Sequence, residues 1–196
     1  MKKLMLIGLV LLTSTRGFSQ SFVQGIMERL HFGLTAGANY SDYTNANFST
    51  QALLGFHAGA LVDFDLTKNL AIQEEFLFSS QGAKVKGDIF GQQNINVYYM
   101  AVPFLLKYRT NSGIYIEAGP QVSTRIKDNI DSLKSGNFAK LLDLSAAAGI
   151  GYQSKSGFGI GFRYVAGLSG VGDFKISNVN PNFRNSVIQA SIFYIF

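Results

Sequence analysis

Ser186 to Phe196, SVIQASIFYIF, is the stretch whose reading decides the fold. As a strand it points Ile188, Ala190, Ile192, Tyr194 and Phe196 one way. Val187, Gln189, Ser191, Phe193 and Ile195 point the other. It ends on an aromatic residue with no polar tail, and an open edge of that kind invites aggregation. Pairing the last strand with the first removes the edge by closing a barrel. In hydrocarbon such closure is compulsory, because no water satisfies the free backbone groups.

Working outward, seven earlier segments alternate in the same way: 30–41, 55–66, 70–79, 97–109, 113–123, 141–153 and 157–167. Each is about ten residues long or slightly more, the length a tilted strand needs to cross a bilayer. Their even-numbered face is apolar, and Phe and Tyr crowd toward the segment ends, as at Tyr40, Phe56, Phe78, Tyr98, Tyr108 and Tyr152. That is the placement of two interfacial girdles around a lipid-facing band. Glu74 is the one charge on this face, and it is expected at the headgroup rim. The odd face is rich in Gly, Ser, Thr, Asn and Gln, and carries Asp63, Asp65, Glu75, Lys107, Glu117, Asp143 and Arg163. Volume decides which face is inside. An eight-stranded barrel has a bore just wide enough for side chains to fill. The aromatic face would overfill it, whereas the small and polar face fits. A soluble barrel would reverse the two faces and show Lys and Glu outside.

The expected fold is therefore all-β: an eight-stranded antiparallel transmembrane up-and-down barrel of the outer-membrane type, over residues 30–196. Residues 1–20 read as an export signal, with Lys2 and Lys3, an apolar Leu4–Leu12 and a small-residue Gly17-Phe18-Ser19. That apolar run is shorter than the roughly 20 residues of a spanning helix. Residues 21–29 form a leader, either a short helix through Phe22, Ile26 and Leu30 or a disordered stretch. The net charge of +5 falls to about +2 without Lys2, Lys3 and Arg16, too little to argue for nucleic acid. With no Cys there is neither a disulfide framework nor a thiolate metal site. Connections alternate short (67–69, 110–112, 154–156) and long (42–54, 80–96, 124–140, 168–185), the pattern of periplasmic turns and extracellular loops. Both termini are then periplasmic.

Three runs carry a family likeness: QEEFLFSSQGAK (Gln73–Lys84), YYMAVPFLLKYR (Tyr98–Arg109) and GIYIEAGPQVS (Gly113–Ser123). Through Glu75, Gly82-Ala83-Lys84, Tyr99, Pro103, Lys107 and Glu117-Ala118-Gly119-Pro120 the chain resembles the PorT-like outer-membrane β-barrel family. Glu74, Phe78 and Ala101 stand where that pattern has Pro, Tyr and an acid. The resemblance implies an outer-membrane location, and the family's named type is tied to protein secretion.

The odd-face charges are the candidate site. Glu75 and Lys107, on neighbouring strands, are expected to pair. Buried charges must be paired or they are very costly, so the network is expected to plug the bore rather than line a channel. His31 and His57 face inward near opposite ends of the wall, which gives no shared metal site. Ser169 and Ser186 complete no nucleophile, base and orienting group. No catalytic residue, metal or cofactor is expected. The expected partners are outer-membrane lipids and an envelope or secretion protein; Lys84, Lys86, Lys127, Lys134, Lys140, Lys175 and Arg184, in or beside the long connections, read first as solvated loop charge and second as contacts for lipopolysaccharide phosphates. A monomer is expected. A narrow porin-like pore is the alternative function.

Overall fold

In the computed structural model the described residues are 20–47, 49–86, 93–129, 139–172 and 182–196. Most of the expected export signal, and parts of all four long connections with Lys134, Lys175, Asp88, Asp131 and Asp173, lie outside them. Residues Gln20–Met27 form a helix, α1, closed by Glu28 N–H to the Gln24 carbonyl at 3.0 Å. The leader thus takes the helical of its two readings.

The alternating segments become β1 (Leu30–Thr44), β2 (Ser49–Asp65), β3 (Leu70–Lys86), β4 (Gln93–Arg109), β5 (Ile114–Asp128), β6 (Leu142–Gln153), β7 (Phe158–Gly167) and β8 (Arg184–Ile195). They form one closed barrel in sequence order. Closure runs from Gly33 opposite Ile195 to Thr44 opposite Arg184. The Phe196 N–H adds a bond of 2.8 Å to the Phe32 carbonyl. The stretch that decided the reading is therefore the seam.

Two of the short turns share one construction. Thr110-Asn111-Ser112-Gly113 and Ser154-Lys155-Ser156-Gly157 each close with the first residue's N–H on the carbonyl after the glycine, at 2.8 Å in both. Gly113 and Gly157 sit at φ 94° and 89°, where a side chain would be strained.

Within the strands every buried residue is odd-numbered except Ser80 and Gly82. The large exposed apolar side chains of the strands are even-numbered, from Phe32 and Leu34 round to Ile192 and Tyr194. The inside-out assignment holds along the whole circuit.

The strands differ from expectation in length. β2, β3 and β4 each run 17 residues, well beyond a bilayer crossing. The added portions stand at the long-connection end, and there the polarity reverses. Ala83, Val85, Ile95, Val97 and Tyr99 are buried inside, while Lys84 and Asn94 are exposed outside. Tyr43, Ala139, Val171 and Phe183 complete an apolar cluster with them, Tyr43 and Phe183 at 4.7 Å between ring centroids. Register irregularities fall at the same level, between Ala52 and His57 on β2 and between Tyr98 and Tyr99 on β4. Just below lies an aromatic row, Phe56 to Phe78 at 5.9 Å and Phe78 stacked on Tyr98 at 5.7 Å. That row marks where an apolar exterior gives way to a polar one.

Candidate functional site: a lumen barred by linked charges

The β3–β4 register sets Lys107 opposite Ala71, not Glu75, and β4–β5 sets it opposite Glu117. Its ammonium reaches along the inner wall to Gln73 Oε1 on β3 at 2.8 Å and Asp63 Oδ2 on β2 at 3.2 Å. The expected Glu75–Lys107 pair is thus not made, because Glu75 lies four residues further along β3 than Lys107's neighbour. Lys107 and Asp63 are almost completely buried, with side chains 2% and 4% exposed. The ammonium also lies 4.6 Å from the Tyr115 ring centroid and 5.1 Å from that of Phe193. A cation over an aromatic face gains most where water is excluded.

Those two rings need room, and glycines supply it. A Cβ on Gly159 would run into the Phe193 ring, and one on Gly151 into the Tyr115 ring. The Gly-rich odd face of β6 and β7 is therefore a set of sockets for aromatic side chains from β5 and β8.

Glu75 pairs instead with Arg163 in a two-pronged contact, Nη1 to Oε2 at 2.8 Å and Nη2 to Oε1 at 2.7 Å. Arg163 Nε donates to Glu117 Oε1 at 2.7 Å. Such planar pairing is the strong form of a charge-assisted hydrogen bond. The Gln73 amide donates to Glu75 while its oxygen accepts from Lys107. Asp63, Lys107, Gln73, Glu75, Arg163 and Glu117 thus make one chain of contacts that spans the bore.

Five of the seven expected charges are brought together, and two are not. Asp65 stands at the short-turn mouth, 3.2 Å from His31 Nε2. Asp143 lies toward the other end, where it accepts from Ser169 at 2.6 Å and from Asn185 at 2.9 Å. Glu74, expected at the rim, sits opposite Val62 and Phe104 among apolar neighbours.

One polar cluster went unforeseen. His57 joins Ser191 Oγ through Nε2 at 2.9 Å and Asn39 Oδ1 through Nδ1 at 2.8 Å. Nucleophile, base and orienting group are connected as in a hydrolytic relay. The setting differs: Asn39 is held by Ser79, Gln189 and the Phe56 and Ser80 carbonyls, a strap across the wall. The apolar groove beside Ser191, about 400 Å³ and lined by Ala36, Ile160, Phe162, Ala190 and Ile192, is formed by outward-facing side chains. Ser191, half-buried, and Gly37 also border this groove. Alternation alone puts all three residues on the inner face, but only the barrel's curvature shows that they meet. Among the described residues no His, Cys, Asp and Glu group is placed to hold a metal.

At the short-turn mouth a hollow of about 770 Å³ is walled by the turns and by His31, Asp65 and Arg109. Asp63 and Ile195 also face it, and they belong to the charged chain and to the cluster of Leu61, Tyr115 and Phe193. The hollow therefore ends at the bar.

Residues 18–172 match the family described as "Outer membrane protein beta-barrel domain". The chain belongs to this family. As one of these barrels it is a bacterial outer-membrane protein of the small eight-stranded type. No curated protein sequence matches it. Among solved structures it is similar to Neisserial surface protein A, with a TM-score of 0.53, 15% identity, and coverage of 85% of this chain and 97% of that one. It is similar to Ail, the attachment invasion locus protein of Yersinia pestis, with a TM-score of 0.52, 12% identity, and coverage of 85% and 98%. Ail in complex with the heparin analogue sucrose octasulfate gives 0.51, 14%, 86% and 99%. At these identities the likeness is one of fold.

Proposed function

We propose that this outer-membrane barrel is a structural and interaction protein: a rigid, closed wall that holds its long connections outside the cell, with its short turns and both termini in the periplasm. The observation that carries this reading is the bore itself, crossed by the Asp63-to-Glu117 chain at one level and by the Tyr43–Phe183 apolar cluster at another. Side chains that fill an eight-stranded bore leave no wide aqueous path. The partner is an envelope protein, and the PorT-like pattern of Glu75, Pro103 and Glu117-Ala118-Gly119-Pro120 points to one concerned with secretion. Lys84, Lys127, Lys140 and Arg184 are exposed at the long-connection end and suit the phosphates of lipopolysaccharide. Ail, of the same fold, has been captured with a sulfated heparin analogue.

Crosslinking through the long connections in outer membranes, followed by co-purification, tests the interaction. One discrete envelope protein is expected, and recovery of lipid alone would count against the reading. The relay at Ser191 is proposed to be structural, so a fluorophosphonate probe should leave Ser191 unlabelled in the folded barrel. Stoichiometric labelling lost in His57→Ala would make the protein a hydrolase.

A second reading, a narrow cation path, is favoured by one observation. Asp63 Oδ1 and Glu117 Oε2 are buried without a hydrogen-bond partner, and the chain sets three carboxylates against two cations. Planar-bilayer recording separates the two readings. The closed barrel gives no steady conductance, and neither does Lys107→Ala. Steady cation-selective current in Lys107→Ala would favour the gated path.

A further inference from the structure

The hollow at the short-turn mouth holds charges that the lumen chain does not use. Lys68, Arg109 and Lys155 all face it. None of the three is within ion-pair distance of a carboxylate among the described residues. The two acidic side chains in the same wall are already engaged, Asp65 by His31 and Asp63 by Lys107, although Arg109 is close enough to Asp63 to feel its charge. Arg109 is also fixed from behind. Its N–H donates to the Asn69 carbonyl at 2.7 Å, and its own carbonyl accepts from Asn69 Nδ2 at 2.7 Å. Lys155 rides on one of the two matched turns, so its position is set by the Gly157 geometry.

The three cations stand on separate parts of the wall, Lys68 in the β2–β3 turn, Arg109 at the end of β4 and Lys155 in the β6–β7 turn. A ligand that fits must bring anionic groups to all three. A single small anion brings one such group, whereas an acidic polypeptide brings several carboxylates spaced along its chain. The hollow's 770 Å³ is in the roughly 300–1,000 Å³ range of ligand clefts.

We propose that the short-turn mouth binds an acidic polypeptide segment, with its carboxylates on Lys68, Arg109 and Lys155. That the segment comes from a periplasmic protein rests on the orientation proposed above; the binding itself does not.

The test uses the full barrel, refolded in neutral detergent, and fluorescein-labelled hexaglutamate followed by anisotropy at low salt. Saturable binding is expected, weakened by added salt. The triple substitution Lys68→Gln, Arg109→Gln and Lys155→Gln should weaken it at least tenfold. A heat-modifiable band on gels shows that the variant is folded. Lys84→Gln with Lys127→Gln, at the opposite mouth, should leave the affinity unchanged, and hexaglutamine should not compete. Binding of the triple variant within twofold of wild type would overturn the proposal. So would displacement of hexaglutamate by equimolar inorganic phosphate or by phosphatidylglycerol in the micelle, which would identify a free phosphate or a lipid headgroup as the ligand. Conductance through a barrel that still bound hexaglutamate would instead defeat the closed-bore reading and leave this one standing.

Discussion

The two ends of β3 and β4 are built from one continuous pair of strands and obey opposite rules. From Leu70 to Phe78 the outer face carries Ile72, Phe76 and Phe78 with Glu74 among them, and the inner face carries Gln73 and Glu75 between Ala71 and Leu77. From Ala83 to Lys86, and on β4 from Asn94 to Val97, the inner face is Ala83, Val85, Ile95 and Val97 and the outer face includes Lys84 and Asn94. The strands run on through the boundary, marked there by the register irregularities between Ala52 and His57 and between Tyr98 and Tyr99, and what distinguishes the halves is the solvent. Where hydrocarbon surrounds the wall, apolar side chains gain nothing by hiding, and the narrow bore is left to paired charges. Where water surrounds it, the hydrophobic effect returns and the same sheet folds as a water-soluble barrel around an apolar core. The lumen is thus closed twice, by ion pairs packed among small apolar clusters at the level of the lipid belt and by a larger apolar core beyond it.

Substitutions chosen in pairs across the boundary sharpen this contrast. The largest effect is expected in the charged half. Arg163→Ala leaves Glu75 and Glu117 buried without their cation, and urea unfolding in lipid vesicles should show a loss of about 3–5 kcal/mol. A loss below 1 kcal/mol, set against that ~3 kcal/mol floor, would mean that water already fills this level. Phe76→Lys puts a charge on the lipid face and should cost about 2–4 kcal/mol near the bilayer middle. In the apolar half, Ile95→Val trims a fully buried side chain and should cost about 0.5–1.5 kcal/mol in the same assay. Asn94→Lys, one residue away on the solvated face, should stay within about 0.5 kcal/mol. Equal costs for Phe76→Lys and Asn94→Lys would remove the boundary altogether.

The sequence displays the fold wherever alternation and polarity agree. SVIQASIFYIF and YYMAVPFLLKYR announce a period of two, an apolar outer face and, by volume, an inside-out barrel. Reading failed where the rule inverts. AKVK and NINV keep the period of two but carry their apolar residues on the odd face. Measured against the belt they end a strand, and the actual strands run on to Lys86 and back from Gln93. The lumen charges were legible as a set, because Glu75, Lys107, Glu117 and Arg163 share a parity. Their partners were not, since pairing depends on register and on reach across the bore. A four-residue offset sends Lys107 to Asp63 and Glu75 to Arg163. The Asn39–His57–Ser191 contacts were hidden for the same reason, with residues 18 and 134 positions apart in sequence.

The reversal can be read directly by spin labels placed one at a time on β3 and β4, which the absence of any native Cys makes straightforward. In lipid vesicles, labels at Ile72, Phe76 and Met100 should collide with oxygen and be shielded from a water-soluble nickel chelate. Labels at Lys84, Asn94 and Asn96 should show the opposite preference, with the crossover at the Phe78–Tyr98 row. A single preference along the whole outer face, with no crossover, would contradict the account.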